Sequence, residues 1–235
     1  MVFRKFSRLM ILVFLCLYIL LSAGGCGIPD YPYLSPPVIN GYQGDYGPSA
    51  TFANASDNNP SYFRGYVFYY RFFTSKDILS STVTSLAGAD DRDSLTLAGY
   101  SFLYGMTDSD GGVITSSPMV KIDLADRASV FTLTMSFNGD LSAGTTDPDF
   151  LSTVTWFSGT QYFGRYVKLS GSQSLTEKGF QTDHFSTGDS DLPEDFATAD
   201  PLYISVYVLS YGMDDDFSSL YSIPKELGRF ELKTN

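Results

Sequence analysis

Between Leu202 and Gly212 the chain reads Leu-Tyr-Ile-Ser-Val-Tyr-Val-Leu-Ser-Tyr-Gly, with Leu202, Ile204, Val206 and Val208 on every second position. Successive side chains of a β-strand point to opposite faces, so this period of two places all four on one apolar face. The other face carries Tyr203, Ser205, Tyr207 and Leu209, a mixture suited to solvent or to another packing layer. Asp214-Asp215-Asp216 then ends the strand. A second stretch, Phe63 to Phe73, is aromatic and β-branched on both parities, which predicts a central strand. The turn residues Asp57 to Pro60 precede it.

The acidic residues agree with a β-rich, loop-rich chain. Glutamate occurs only at Glu177, Glu194, Glu226 and Glu231, and the remaining acids are aspartate. Aspartate favours turns and caps, whereas glutamate favours helix interiors. Shorter strands are expected at Val38–Ile39, Ala50–Ala55, Leu95–Tyr104, Val154–Trp156, Gly164–Leu169 and Leu227–Leu232. Met119 to Phe137 reads as a hairpin around Ala125-Asp126-Arg127, because alternation resumes on both sides of a polar break. Ile78, Leu79, Val83 and Leu86, closed by Gly88, suit one short helix.

The N-terminus has a different character. Arg4, Lys5 and Arg8 precede an apolar run from Leu9 to Leu21, and small residues follow up to Cys26. A basic start, a short apolar run and a small-residue cleavage point predict a signal peptide over residues 1–25. The run is too short to span a bilayer, which takes about 20 residues. Cys16 would leave with that peptide, so Cys26 has no disulfide partner in the mature chain. Residues 26–37 hold four prolines and predict a semi-stiff tether. Residues 38–235 are expected as the β-domain.

Loss of Arg4, Lys5 and Arg8 takes the formal net charge from −11 to −14. Such a field repels phosphate backbones, which argues against nucleic-acid binding.

Ala23-Gly24-Gly25-Cys26 resembles the lipobox of bacterial lipoproteins, in the relaxed form familiar among spirochaete lipoproteins. The resemblance implies acylation of the Cys26 thiol and a protein held at a cell or outer membrane, periplasmic or surface-exposed. Phe63-x-Gly65-Tyr66-x-Phe68-x-Tyr70-Arg71 resembles the third strand of fibronectin type III domains. Leu202-x-Ile204-x-Val206-x-Val208 with Ser222-x-Pro224 resembles their last two. This second resemblance implies an all-β, immunoglobulin or fibronectin type III-like sandwich. The 128 residues between Phe73 and Leu202 far exceed that family's spacing, so residues 74–201 are expected as a large, mostly β insertion or decorated region.

No catalytic set emerges. His184 is the single histidine, and Ser190 follows it by six residues in a polar loop, a context unlike a serine nucleophile's. One histidine and one remaining thiol are too few for a zinc site. Aspartates cluster at Asp90, Asp91 and Asp93, at Asp108 and Asp110, at Asp189, Asp191 and Asp195, and at Asp214 to Asp216. Closely spaced carboxylates can hold calcium, but none has EF-hand spacing, and solvated turns are the expectation. No enzyme activity, cofactor or metal is therefore expected.

Binding surfaces are the remaining candidates. Tyr203, Tyr207 and Tyr211 recur every fourth residue on one strand face, about 13 Å apart at roughly 3.3 Å per residue. They are the candidate ligand-binding residues, an aromatic platform for a glycan or protein partner. The competing expectation is packing between layers. The functional expectation is a lipid-anchored envelope protein carrying a non-catalytic binding or structural module. The alternative is a carbohydrate-binding module using surface tyrosines.

Overall fold

The Phe63–Phe73 stretch forms β3, and Leu202–Met213 forms β12, the two longest strands. They pair antiparallel along nearly their whole length, from Phe63 opposite Gly212 to Phe73 opposite Tyr203. The computed structural model describes residues 32–42, 46–106, 113–114, 120–138, 149–168, 175–180, 185–197 and 201–232.

In chain order the other strands are β1 (Val38–Tyr42), β2 (Ser49–Ala53), β4 (Ser101–Phe102), β5 (Tyr104–Met106), β6 (Val113–Ile114) and β7 (Val120–Lys121). They continue with β8 (Val130–Asn138), β9 (Asp149–Trp156), β10 (Gly159–Lys168), β11 (Leu175–Lys178), β13 (Ser219–Tyr221) and β14 (Lys225–Leu232). Helices α1 (Lys76–Ser85) and α2 (Arg92–Leu97) follow β3.

The strands make two antiparallel sheets. One runs β1-β2-β8-β9-β10-β5-β6, with β11 also on β10; the other runs β13-β12-β3-β4, with β14 also on β12 and β7 also on β3. They pack face to face as a sandwich. From one side come Phe52, Phe131, Leu133, Val154 and Phe163; from the other come Phe68, Phe72, Ile204, Val206, Val208 and Phe230. All are buried, and each such side chain contributes roughly 1.5–3 kcal/mol of transfer free energy.

The outer face of the β3–β12 sheet is also covered. Val67, Tyr69, Phe73, Tyr207 and Leu209 pack under Leu79 and Val83 of α1 and Leu95 of α2. The unit from Tyr33 onward thus has three layers, and β12 is buried on both faces.

The all-β expectation holds, with four local corrections. Residues 74–201 are not an addition to a finished sandwich: they supply every strand of the larger sheet except β1 and β2. Met119 to Phe137 is not a hairpin, because β7 pairs with β3 in one sheet and β8 with β2 and β9 in the other. The break between them, with a short 3-10 turn at Leu124–Asp126, carries the chain across the gap between sheets, which is about 10 Å. Leu95 does not begin a strand but lies in α2, because Asp91 caps that helix by accepting from the Ser94 amide at 2.8 Å. Lastly, Leu34, placed within the expected tether of residues 26–37, is a core residue.

Tyr66 illustrates the cost of so aromatic an interior. Its ring packs edge-on against Phe52, Phe63 and Phe131, but its hydroxyl is buried without a hydrogen-bond partner among the described residues. Burial pushes that phenol well above its ordinary range. Removing an unsatisfied hydroxyl is neutral or stabilising by up to about 1 kcal/mol. Tyr66→Phe is therefore expected to leave the urea-unfolding midpoint unchanged or raised; a lowered midpoint would show that the hydroxyl has a partner.

Candidate functional site

Cys26 and His184 lie outside the described residues, as do Asp108 and Asp110.

The tyrosine row forms no surface. Tyr203, Tyr207 and Tyr211 are 8%, 3% and 5% exposed, packed in the helix-covered second core. Tyr207 meets Tyr100 edge-on at 5.2 Å, and Tyr211 meets Tyr221 at 5.3 Å. Tyr203 touches Tyr46 at 5.3 Å, and Lys76 lies over both rings, 5.1 and 4.4 Å from their centroids. The platform is overturned because helices lie across this face, which a strand pattern alone cannot report. Burial pushes the Tyr207 hydroxyl up and that of Tyr100 to about 12, so both stay neutral at any physiological pH.

Several of the aspartates are engaged internally. Asp91 caps α2, and Asp214 accepts from the amides of Asp216 at 3.0 Å and Ser218 at 2.7 Å, closing a turn. Asp195 accepts from Thr74 Oγ1 at 2.8 Å. Among the described residues no three metal-ligating side chains gather.

Asp189 and Asp191 belong to a buried ionic cluster that sequence reasoning missed. Arg165, on β10, has a fully buried side chain. It donates to Asp189 Oδ2 at 2.9 Å, to Asp191 Oδ1 at 2.8 Å and to the Gly179 carbonyl at 3.1 Å. Lys178 reaches Asp189 at 2.6 Å, and the Tyr70 hydroxyl donates to Asp191 at 2.6 Å. The guanidinium also lies 4.3 Å from the Phe185 ring centroid. Burial alone would raise the Asp189 carboxyl, but the Lys178 hydrogen bond, the Arg165 charge and Ser186 outweigh it and hold it below the ordinary carboxylate range. Two cations and two carboxylates close on one another, so the loop 185–197 is pinned into the end of the sandwich. The expectation of a solvated loop here is thereby corrected.

A neutral polar cluster occupies the opposite end, where the N-terminal segment enters. Ser35 N–H donates to Asn58 Oδ1 at 2.7 Å, and Asn58 Nδ2 donates back to the Ser35 carbonyl at 3.1 Å and to Asn54 Oδ1 at 2.9 Å. The Ser210 hydroxyl of β12 donates to that same Ser35 carbonyl at 2.8 Å, and its amide donates to Ser222 Oγ at 2.9 Å. Leu34 fills the adjoining space beside Gly212. A Cβ added at Gly212 would stand 2.4 Å from the Tyr62 carbonyl oxygen and 3.0 Å from Leu34, so a glycine is required there. The chain is thus fastened to the central strand from Leu34 onward.

Comparison with protein-family models, curated proteins and solved structures finds no match to this chain.

Proposed function

We propose that this chain is a lipid-anchored cell-envelope protein, acylated on Cys26, whose sandwich is a non-catalytic binding or structural module. The observation that carries the reading is Cys26 itself, the single thiol beyond the apolar run, directly behind Ala23-Gly24-Gly25. An unpaired thiol is a liability in an oxidising compartment, and acylation consumes it. More than one acyl chain also gives stable anchoring where a single chain does not.

The domain's construction supports the same reading. The Ser35–Asn58–Ser210 hydrogen bonds couple the N-terminal segment to β12, so a pull on the anchor is borne by the central strand rather than by a frayed terminus. The charged groups of the Arg165 cluster are consumed by one another, which suits a structural rather than a catalytic role. Pairing of β1, β2 and β8 in one sheet and of β3, β12 and β14 in the other supports an immunoglobulin or fibronectin type III-like sandwich. Burial of Tyr203, Tyr207 and Tyr211 removes the stacking surface on which the glycan reading rested.

The test is Cys26→Ser, expressed from Met1 in a bacterium. Wild-type protein is expected in the detergent-extractable membrane fraction with an acylated N-terminal peptide by mass spectrometry, and the variant in the soluble fraction without acyl mass. A variant that stays membrane-bound and is processed to the same length would falsify the proposal.

A further inference from the structure

Among the described residues, the end of the sandwich that receives the N-terminal segment carries three exposed aromatic side chains. Phe157, at the tip of the β9–β10 hairpin, is 97% exposed; Phe217, in the turn between β12 and β13, is 81% exposed; Tyr33, at the entry, is 69% exposed.

These positions share one end of the fold. β12 arrives there at Gly212, opposite the start of β3 at Phe63. β8 starts there at Val130, opposite Ala53, and β9 and β10 turn there between Trp156 and Gly159. Hydrogen bonds stitch the loops together: the Tyr62 hydroxyl donates to Asp215 at 3.5 Å, Arg127 donates to the Pro60 carbonyl at 2.7 Å, and the Ser158 hydroxyl donates to Asp126 at 2.5 Å.

Single exposed apolar residues are ordinary on any surface. Phe217 is not placed in the ordinary way. Its φ is 63°, the left-handed region that disfavours any side chain and that glycine adopts freely. The turn around it is built, with Asp214 binding the amides of Asp216 and Ser218 and donating its own N–H to the Ser218 carbonyl at 3.0 Å. A bulky apolar group is therefore held outward by an ordered turn at a position that favours its absence. The Phe157 hairpin is similarly set, because Trp156 lies across Gly159 and donates its indole N–H to Ser158 at 2.9 Å.

Resting on the lipid-anchored reading above, we propose that this end lies against the membrane that carries the anchor, with Phe157 and Phe217 entering the headgroup layer. Chain length selects the occupant. Seven residue steps separate Cys26 from Tyr33, which span at most about 25 Å when fully extended. An acylated Cys26 thus keeps this end, and not the Arg165 end, next to lipid. Charge selects the kind of lipid. Asp57, Asp123, Asp126, Asp214, Asp215 and Asp216 stand at this end against Arg64, Lys121 and Arg127, so the surface fits zwitterionic headgroups and is repelled by anionic ones.

Trp156, the single tryptophan of the sequence, is a built-in reporter beside Phe157. The mature chain is coupled through the Cys26 thiol to a maleimide lipid in phosphatidylcholine vesicles, with brominated or ordinary acyl chains. Bromination is expected to quench Trp156 emission about twofold, as for a side chain seated at the headgroup–acyl boundary. Phe157→Ser with Phe217→Gly is expected to abolish the quenching at equal coupling. Phe217→Gly alone relieves the strained backbone and serves as the variant whose fold is secure. Exchanging phosphatidylcholine for an anionic phosphatidylglycerol is expected to weaken quenching, and added salt to restore it.

No quenching in the wild-type chain, or equal quenching in the double variant, would overturn the proposal and leave these side chains to a protein partner. The acyl mass of the cell-derived N-terminal peptide separately decides the anchored reading, so the two failures are distinguishable.

Discussion

Arg165→Met is expected to lower stability by about 3–5 kcal/mol, the cost of removing one side of a buried ionic cluster. The methionine fills much of the same space, so the loss is electrostatic rather than steric. Asp189 keeps Lys178 and Ser186, and Asp191 keeps the Tyr70 hydroxyl, but both lose the guanidinium inside an apolar wall that includes Phe72 and Phe185. Urea unfolding followed by circular dichroism measures the effect; a change below about 1 kcal/mol would mean that water reaches the carboxylates.

The same cluster sets the acid limb of stability. Asp189 is held below its ordinary value in the folded state, so its contribution is fully present above the unfolded carboxylate range, near pH 4, and is lost as pH falls through the lower folded value. The urea midpoint of the wild-type chain is expected to decline below about pH 4, and that decline should be shallower in Asp189→Asn.

Asn58→Ala is expected to cost about 2–3 kcal/mol, since it leaves the Ser35 amide without its acceptor and loosens Ser210 in the central strand. The location distinguishes this loss from a general one. Hydrogen exchange should quicken at Ser35 and around Ser210 and Ser222, whereas the Arg165 end keeps its protection. Uniform acceleration would show that the N-terminal segment is not separately fastened.

The sequence made the long strands legible because their patterning is local. Leu202 to Val208 face the sandwich as their alternation demands, and Phe63 to Phe73, apolar on both parities, is a central strand. Leu79 and Val83 face inward from a helix as their spacing implies. What was not legible is partner choice. Val120 and Phe131 alternate equally well whether β7 and β8 pair with each other or with different sheets, and only the length of the break between them separates the cases.

Tyr203, Tyr207 and Tyr211 had the right face and the wrong neighbour, because nothing in a strand's own sequence reveals a helix layer laid over it. Arg165 did leave a signal. It falls in the inward phase between Phe163 and Val167, both buried, and a charge in that register demands buried counter-charges. The aspartates of the 189–191 loop are the ones that answer it. The Ser35–Asn58 pairing left none, since Asn58 reads as an ordinary turn residue until the N-terminal segment is laid beside it.

The pairing of β3 with β12 also orders events in time. A chain that emerges N-terminus first presents β3, apolar on both faces, long before its partner exists. The larger sheet can assemble earlier, from β8, β9 and β10, which are consecutive and joined locally. The second sheet closes only when the last strands have been delivered, a high-contact-order step that is slow by nature and leaves β3 exposed to aggregation meanwhile. Truncation from the C-terminus at β12 should therefore yield an insoluble product rather than a smaller folded one.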